Sequence, residues 1–376
     1  MKKHVILVSM IVATMFATSC SKDDGDNVEQ PVAQEVQNED NNKPEVQNAE
    51  SRQIVIKADN GKILSEVETT DGYNFTFSKG NKLVLTDGET TYATLEMEGE
   101  GGSSSATFKG EISTKADNKS IYAVIEGQSP LSEVKTSTVS LADVVQSNCY
   151  FKSEKFDYNA NSELSVTLND QNAYLVFEVS ENQKKVNIGS GWYDVSGGKC
   201  YAAVPAGEVS GRFFGTKTAK SSEIYTITCT DVVDLGLSVL WCTSNANSPE
   251  TDLKTWEDAK TLAASVEGYD LPSADNFKEL TGETQVKDVT VTKSEKWNGT
   301  GTENGVTFST DYGSVFFPAA GFNGGGYNAG YEGNYWSSSP ADVANNAYIL
   351  YFFDGDAGVN LSGVYLEYSV RLVRGL

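Results

Sequence analysis

Near the end of the chain, Asp354-Gly-Asp-Ala-Gly358 places two carboxylates around a glycine, a grouping that invites a calcium ion. The spacing stops short of a calcium loop, because no acid stands at the distal position that closes an EF-hand. A solvated turn is the favoured reading, with no cofactor required and calcium left open. Upstream, Gly321-Phe-Asn-Gly-Gly-Gly-Tyr-Asn-Ala-Gly-Tyr-Glu-Gly333 carries Phe322, Tyr327 and Tyr331 in a segment too rich in glycine for a strand or helix interior. It lacks the lysine and the strand-to-helix setting of a phosphate loop. Large amphipathic rings among flexible, amide-bearing positions instead suit a recognition surface. Tyrosine gives contact area at low entropy cost, and asparagine gives adaptable hydrogen bonds. A surface loop whose tyrosines pack on their own domain is the competing reading. By type and position, the candidate ligand-binding residues are Asn323, Tyr327, Asn328, Tyr331, Asn345, Asn346, Tyr348, Asp354, Asp356, Asn360, Tyr365 and Glu367.

Other chemistry is scarce. The only histidine is His4, so beyond the first residues there is no Ser-His-Asp or Cys-His catalysis and no imidazole zinc site. Cys149, Cys200, Cys229 and Cys242 match no metal-ligand spacing; two disulfides with three connectivities, or buried free thiols, both remain open. The 52 acids allow many carboxylate pairs, but nothing marks out two for glycoside hydrolysis. No catalytic residue and no metal site is expected, and the protein is read as a non-enzyme.

The start of the chain has the parts of an export signal: Lys2 and Lys3, an apolar stretch from Val5 to Phe16, then small residues. This stretch is too short to span a membrane. Ala17-Thr-Ser-Cys20 resembles a lipobox, in which Cys20 carries the lipid and residues 1–19 are removed; an ordinary signal with a chance cysteine is the alternative. The following Ser-Lys-Asp-Asp-Gly-Asp resembles the export signal of surface lipoproteins in Bacteroides-type bacteria, which implies outer-membrane anchoring with the protein facing outward. Without Lys2 and Lys3, 27 basic residues against 52 acidic ones leave a charge of about −25. That argues against nucleic acid and against anionic membrane surface as partners, since both require a basic patch. Residues 20–51 are a low-complexity acidic tract, with Pro31-Val-Ala-Gln-Glu-Val-Gln-Asn38 nearly repeated at 43–48. Such a tract buries too little apolar surface to fold and is expected to be a flexible tether.

The elements that must hold the candidate residues follow from Gln53 onward. Short alternating segments such as Lys82-Leu-Val-Leu85, Tyr92-Ala-Thr-Leu-Glu-Met97 and Ala173-Tyr-Leu-Val-Phe-Glu-Val179 recur about every ten residues, between Asn-Gly and Asp-Gly signals. The class is therefore mainly β, as sandwiches. Ala106-Thr-Phe-Lys-Gly-Glu-Ile112, Ser120-Ile-Tyr-Ala-Val124 and Tyr201-Ala-Ala-Val-Pro-Ala206 resemble the fimbrillin family. That resemblance implies two tandem transthyretin-like β-sandwiches, at 52–138 and 139–230; two generic sandwich modules are the alternative.

The last third, 231–376, runs Val233-Asp-Leu-Gly-Leu-Ser-Val-Leu-Trp241, Tyr269-Asp-Leu-Pro-Ser273, Val315-Phe-Phe-Pro-Ala-Ala-Gly321, Gly333-Asn-Tyr-Trp-Ser-Ser-Ser339 and Ser369-Val-Arg-Leu-Val-Arg374. This order resembles the Fibrobacter-type major paralogous domain and implies an α+β C-type-lectin-like fold. Cys242-Thr-Ser and Asp270-Leu-Pro-Ser depart from the usual Ala-Thr-Cys and Arg-Leu-Pro-Thr. The calcium motifs of calcium-dependent lectins are absent. Leu253, Trp256, Ala259, Leu262, Ala263 and Val266 fall at helical spacing, with Thr251 or Asp252 as cap. Pro272-Ser273 opens a second helix, with Asp275 in its first turn and Phe277 and Leu280 facing in. Trp241 and Trp336 are expected in the core, and Arg371 is expected to bridge to a carboxylate.

These expectations combine into a surface-anchored adhesin or ligand-binding lipoprotein with a lectin-like recognition end. Its partners would be the outer membrane, through the lipid, and a host or bacterial surface glycan or protein. Relatives of such ends are in some cases diversified by a retroelement that mutates adenines, and residues 322–367 are rich in the types this produces. Two alternatives stand beside it: a fimbrial tip or anchor subunit assembled with other fimbrial subunits by strand addition, and the glycan-binding component of a polysaccharide-uptake system.

Overall fold

Ile54, Ile56 and Ala58 alternate with the more exposed Gln53, Val55, Lys57 and Asp59 along the strand Ser51–Asn60, and all three are buried. This strand is bonded on both sides, antiparallel to Ser105–Ser113 and parallel to Glu163–Asp170. The computed structural model describes residues 50–61, 64–65, 75–160, 163–247, 252–294, 303–322 and 328–376. Residues 49–376 form one compact unit. The expected signal (1–19), Cys20 and nearly all of the tether lie outside the described residues; Ser51, assigned to the tether, already opens the first strand.

The first sheet closes on itself. From Ser105–Ser113 it continues through Thr91–Glu98, Lys82–Thr86, Lys119–Ile125 and Phe151–Ser153, and returns to Glu163–Asp170. Phe77, Leu83, Leu85, Leu95, Phe108, Phe151, Tyr158 and Leu168 fill its interior. The division placed at residues 138/139 is therefore corrected, because residues 151–170 complete this first sheet. Local alternation identifies a strand but not its partner, and this partner is more than 100 positions away in the chain.

The second sheet runs Leu64–Ser65, Glu223–Cys229, Asn172–Val179, Lys199–Pro205 and Lys135–Ser137. Two of its strands come from chain that precedes residue 139. Leu175, Phe177 and Val179 face one core, with the hairpins Lys185–Ile188/Gly191–Asp194 and Gly207–Gly211/Gly215–Ala219. On the opposite face, Tyr174 meets Val144 and Val145 of helix α1 (Leu141–Asn148). The Ser140 hydroxyl caps α1, accepting from the Asp143 N–H at 3.0 Å.

In the last third, Leu240–Cys242 is the central strand between Val232–Asp234 and Val373–Arg374 near the chain end. Helix α2 (Trp256–Ala264) is capped by Thr255, which accepts from the Asp258 N–H. This corrects the expected cap: Asp252 is instead ion-paired with Lys254, and Thr251 is outside the described residues. Helix α3 (Ala274–Leu280) starts at Ser273 in a capping box with Asn276, and Phe277 and Leu280 are buried as the spacing predicts. Trp241 and Trp336 are both fully buried.

Arg371 is 1% exposed, and its partners are not carboxylates. It donates to Asn245 Oδ1, the Cys242 carbonyl and the Phe316 carbonyl at 2.8–2.9 Å and lies over the Phe317 ring. Three neutral acceptors and an aromatic face replace the expected ion pair, and burial lowers its pKa.

The second sheet and the last third lock together. Gln183 Nε2 donates to the Asp234 and Tyr312 carbonyls at 2.9 Å, and its Oε1 accepts from the Asp234 N–H at 2.8 Å. Arg212 pairs with the buried Asp234 at 2.7 Å, and Trp192 packs on Tyr312 with ring centroids 4.1 Å apart.

Candidate functional site

The candidate residues that lie among the described ones sit around one three-stranded sheet. Its strands are Glu332–Pro340, Asn346–Phe353 in the centre and Asp356–Gly363 at the edge. The central and edge strands are joined by a two-residue turn, Asp354-Gly355, in which both residues have positive φ (50° and 92°). That is the backbone a tight hairpin requires and the reason Asp-Gly is a hairpin signal.

Alternation gives the sheet two unlike faces. Tyr335, Leu350 and Phe352 point into the domain core. Gly333 stands opposite Phe352, and a Cβ there would sit 2.0 Å from the ring, so the close approach requires glycine. On the other face the register sets residues in rows across the strands. Glu332, Phe353 and Asp356 form the row at the tip, and Asn334, Tyr351 and Gly358 form the next. Because Gly358 has no side chain, a hollow of about 250 Å³ opens there, lined by Tyr351, Phe353, Asp356, Ala357 and Gly358. Glu332 accepts from Asn328 Nδ2 at 3.3 Å and from Asn334 Nδ2 at 3.2 Å. Burial and then the nearby Glu332 charge raise the Tyr351 hydroxyl above its ordinary pKa.

The structure divides the candidates into two groups. Asn328, Tyr331, Asp354 and Asp356 gather at the tip. Asn345, Asn346 and Tyr365 gather at the far end, where the Val364 N–H donates to the Asn345 carbonyl and the Tyr365 ring lies against Gly363. Seven residue steps of strand, about 23 Å, separate Asn346 from Phe353. Tyr348 faces the opposite way from Tyr351, beside Leu361. Asn360 is exposed, with its Oδ1 accepting from the Leu361 N–H, and Glu367 is half-buried in the loop beyond. A small ligand at one end does not reach the other. Asn323 and Tyr327 lie outside the described residues.

Glu332, Asn334, Tyr351 and Phe353 were not among the candidates. Only Phe353 stands directly opposite a chosen residue, Asp356; Glu332 joins that row one strand further on, and Asn334 and Tyr351 form the next row, so the strand register alone brings them in. Asp354 is ion-paired with Lys293 at 2.7 Å. Among the described residues no group of three or more Cys, His, Asp or Glu is placed to hold a metal. The four cysteines are free, and burial pushes Cys149 and Cys200 up to about 12 and Cys242 up to about 11. Near neutral pH these three are thiols, not nucleophilic thiolates. No helix among the described residues is long and apolar enough to cross a membrane.

No family model matches the chain, and no curated protein matches it. Among solved structures it is similar to a fimbrial protein from Bacteroides ovatus, at 12% identity over 86% of this chain and 99% of that one, with a TM-score of 0.26. It is also similar to a candidate cell adhesion protein from Bacteroides eggerthii, at 12% identity over 85% and 97%, with a TM-score of 0.21. The Bacillus anthracis TIE protein follows at 10% identity over 47% and 33%, with a TM-score of 0.15. TM-scores this low do not establish a shared fold, and the functional reading below rests on this chain's own residues.

Proposed function

We propose that the chain is a non-catalytic, surface-anchored ligand-binding protein of adhesin type. In this reading Cys20 carries the lipid, residues up to about 50 form the tether, and the β modules carry a lectin-like C-terminal domain whose three-stranded sheet meets the ligand. One observation carries it: among the described residues, Tyr331, Val343, Phe353, Leu361 and Tyr365 are large apolar side chains 42–77% exposed, and all lie on that sheet or its loops. Tyr331 and Phe353 share the tip, and exposed rings that share one place mark an interaction surface, whereas single ones need no explanation. The two-ended arrangement favours an extended ligand or a macromolecular surface over a small metabolite.

The test is a binding array of glycans and of host and bacterial surface proteins, probed with the mature full-length chain in calcium and in chelator. Tyr331→Ala with Phe353→Ala should abolish hits at the tip, and Tyr365→Ala should weaken those that span the sheet. Hits unchanged in every variant would place recognition elsewhere. Diversification predicts a near-copy of the 3′ coding segment beside the gene, differing mainly at adenines; a genome without one removes that part.

A further inference from the structure

We infer that the tip of the C-terminal sheet is a seat for an organic cation, the lysine ammonium or arginine guanidinium of a partner protein. This rests on the recognition role proposed above and specifies its ligand chemistry. Glu332, Phe353 and Asp356 stand side by side on three neighbouring strands, so two carboxylates flank one phenyl ring. Strands lie about 4.8 Å apart, which puts the two acidic positions about 10 Å from each other with the ring between them. Phe353 is 48% exposed, Tyr351 adds a second ring two residues along, and the hollow above Gly358 gives a side chain room to enter. A cation over an aromatic face, held between carboxylates, gains from both.

The charge balance points the same way. The Lys293 ammonium is held by Asp354, and Glu332 is met by the neutral amides of Asn328 and Asn334. Among the described residues no cation is recorded on Glu332 or Asp356. At the strand edge Glu283 adds a further carboxylate, whose Oε1 accepts from the Val359 N–H at 2.8 Å. With the neighbouring Leu361 N–H also met by a side chain, Asn360 Oδ1, two of the edge donors an added strand would use are already engaged, which favours side-chain recognition over backbone pairing. A second copy is a poor occupant, since each chain carries −23. An anionic ligand is repelled.

The test is an NMR titration of the mature full-length chain, following the Phe353 ring signals. The probes are a Gly/Ser peptide bearing two lysines, its Nε-acetylated twin and an N-acetylglucosamine tetramer. The lysine peptide should give saturable shifts, and acetylation should weaken binding at least tenfold. Glu332→Gln with Asp356→Asn, and separately Phe353→Ala, should each cost about fivefold or more. The distant exposed pair Glu208→Gln with Glu267→Gln should change it less than twofold, and unaltered melting and near-UV dichroism would show that all variants fold. Equal loss in the distant variant, undiminished binding of the acetylated peptide, or absence of lysine binding would each overturn the cation seat. Saccharide shifts at Phe353 without lysine binding would overturn it while keeping the recognition role. Silence here together with a silent array would remove both.

Discussion

At the scale of single residues, Arg371 and Asp87 show how polar groups are held without an obvious partner in the sequence. Replacing Arg371 by methionine would strand the Cys242 and Phe316 carbonyls and Asn245 Oδ1. A buried acceptor left unmade costs about 1–3 kcal/mol, so the loss should exceed ~3 kcal/mol in urea denaturation. Asp87 sits in the turn after Lys82–Thr86, where it accepts from the Tyr92 hydroxyl at 2.6 Å and from the N–H groups of Glu89 and Thr90. The Tyr92 hydroxyl, then the turn N–H groups, hold its carboxyl down at about 2. A pKa below the unfolded value adds stability that is complete above the ordinary carboxylate range and is lost as pH falls toward 2. Asp87→Asn should flatten that acid limb of the stability–pH curve, measured by chemical denaturation between pH 2 and 6.

At the scale of elements, short-range chemistry was legible and long-range pairing was not. Asp354-Gly355 announced its turn, and Pro272-Ser273 with Phe277 and Leu280 announced the start of α3 and its inward face. Gly333 belonged to a recognised motif, but its physical reason, the Phe352 ring lying across it, appears only in the register. Gly333→Ala should therefore cost about 1–3 kcal/mol by overpacking and lower the melting temperature, although the position is an ordinary strand site. Helix α1 was missed because its eight residues carry only two buried apolar side chains, Val144 and Val145, too few for a periodic pattern. The tip site was half legible: Asp356 was chosen for its type, but Phe353 beside it and Glu332 one strand further join it only through pairing across the strands.

At the scale of the whole molecule, interleaving decides how the chain behaves as a unit. Strands from before residue 139 complete the second sheet, and residues 151–170 complete the first, so neither closes alone. The Gln183, Arg212 and Trp192 contacts then join the second sheet to the last third. Calorimetry should therefore show a single unfolding transition for these parts. Tyr312→Ala, which removes the ring against Trp192, should split it into two or shift its onset downward; one unchanged transition would show that the stack contributes nothing.

The strand Ser51–Asn60 also decides how the molecule answers a pull. Tension entering at Ser51 and leaving past Asp170 acts on two parallel neighbours from opposite ends, so their ladder is loaded in shear. All of its hydrogen bonds must then yield together, whereas a hairpin pulled from its open end would unzip one bond at a time. A cell held in flowing liquid by this chain would load the fold along its most resistant axis.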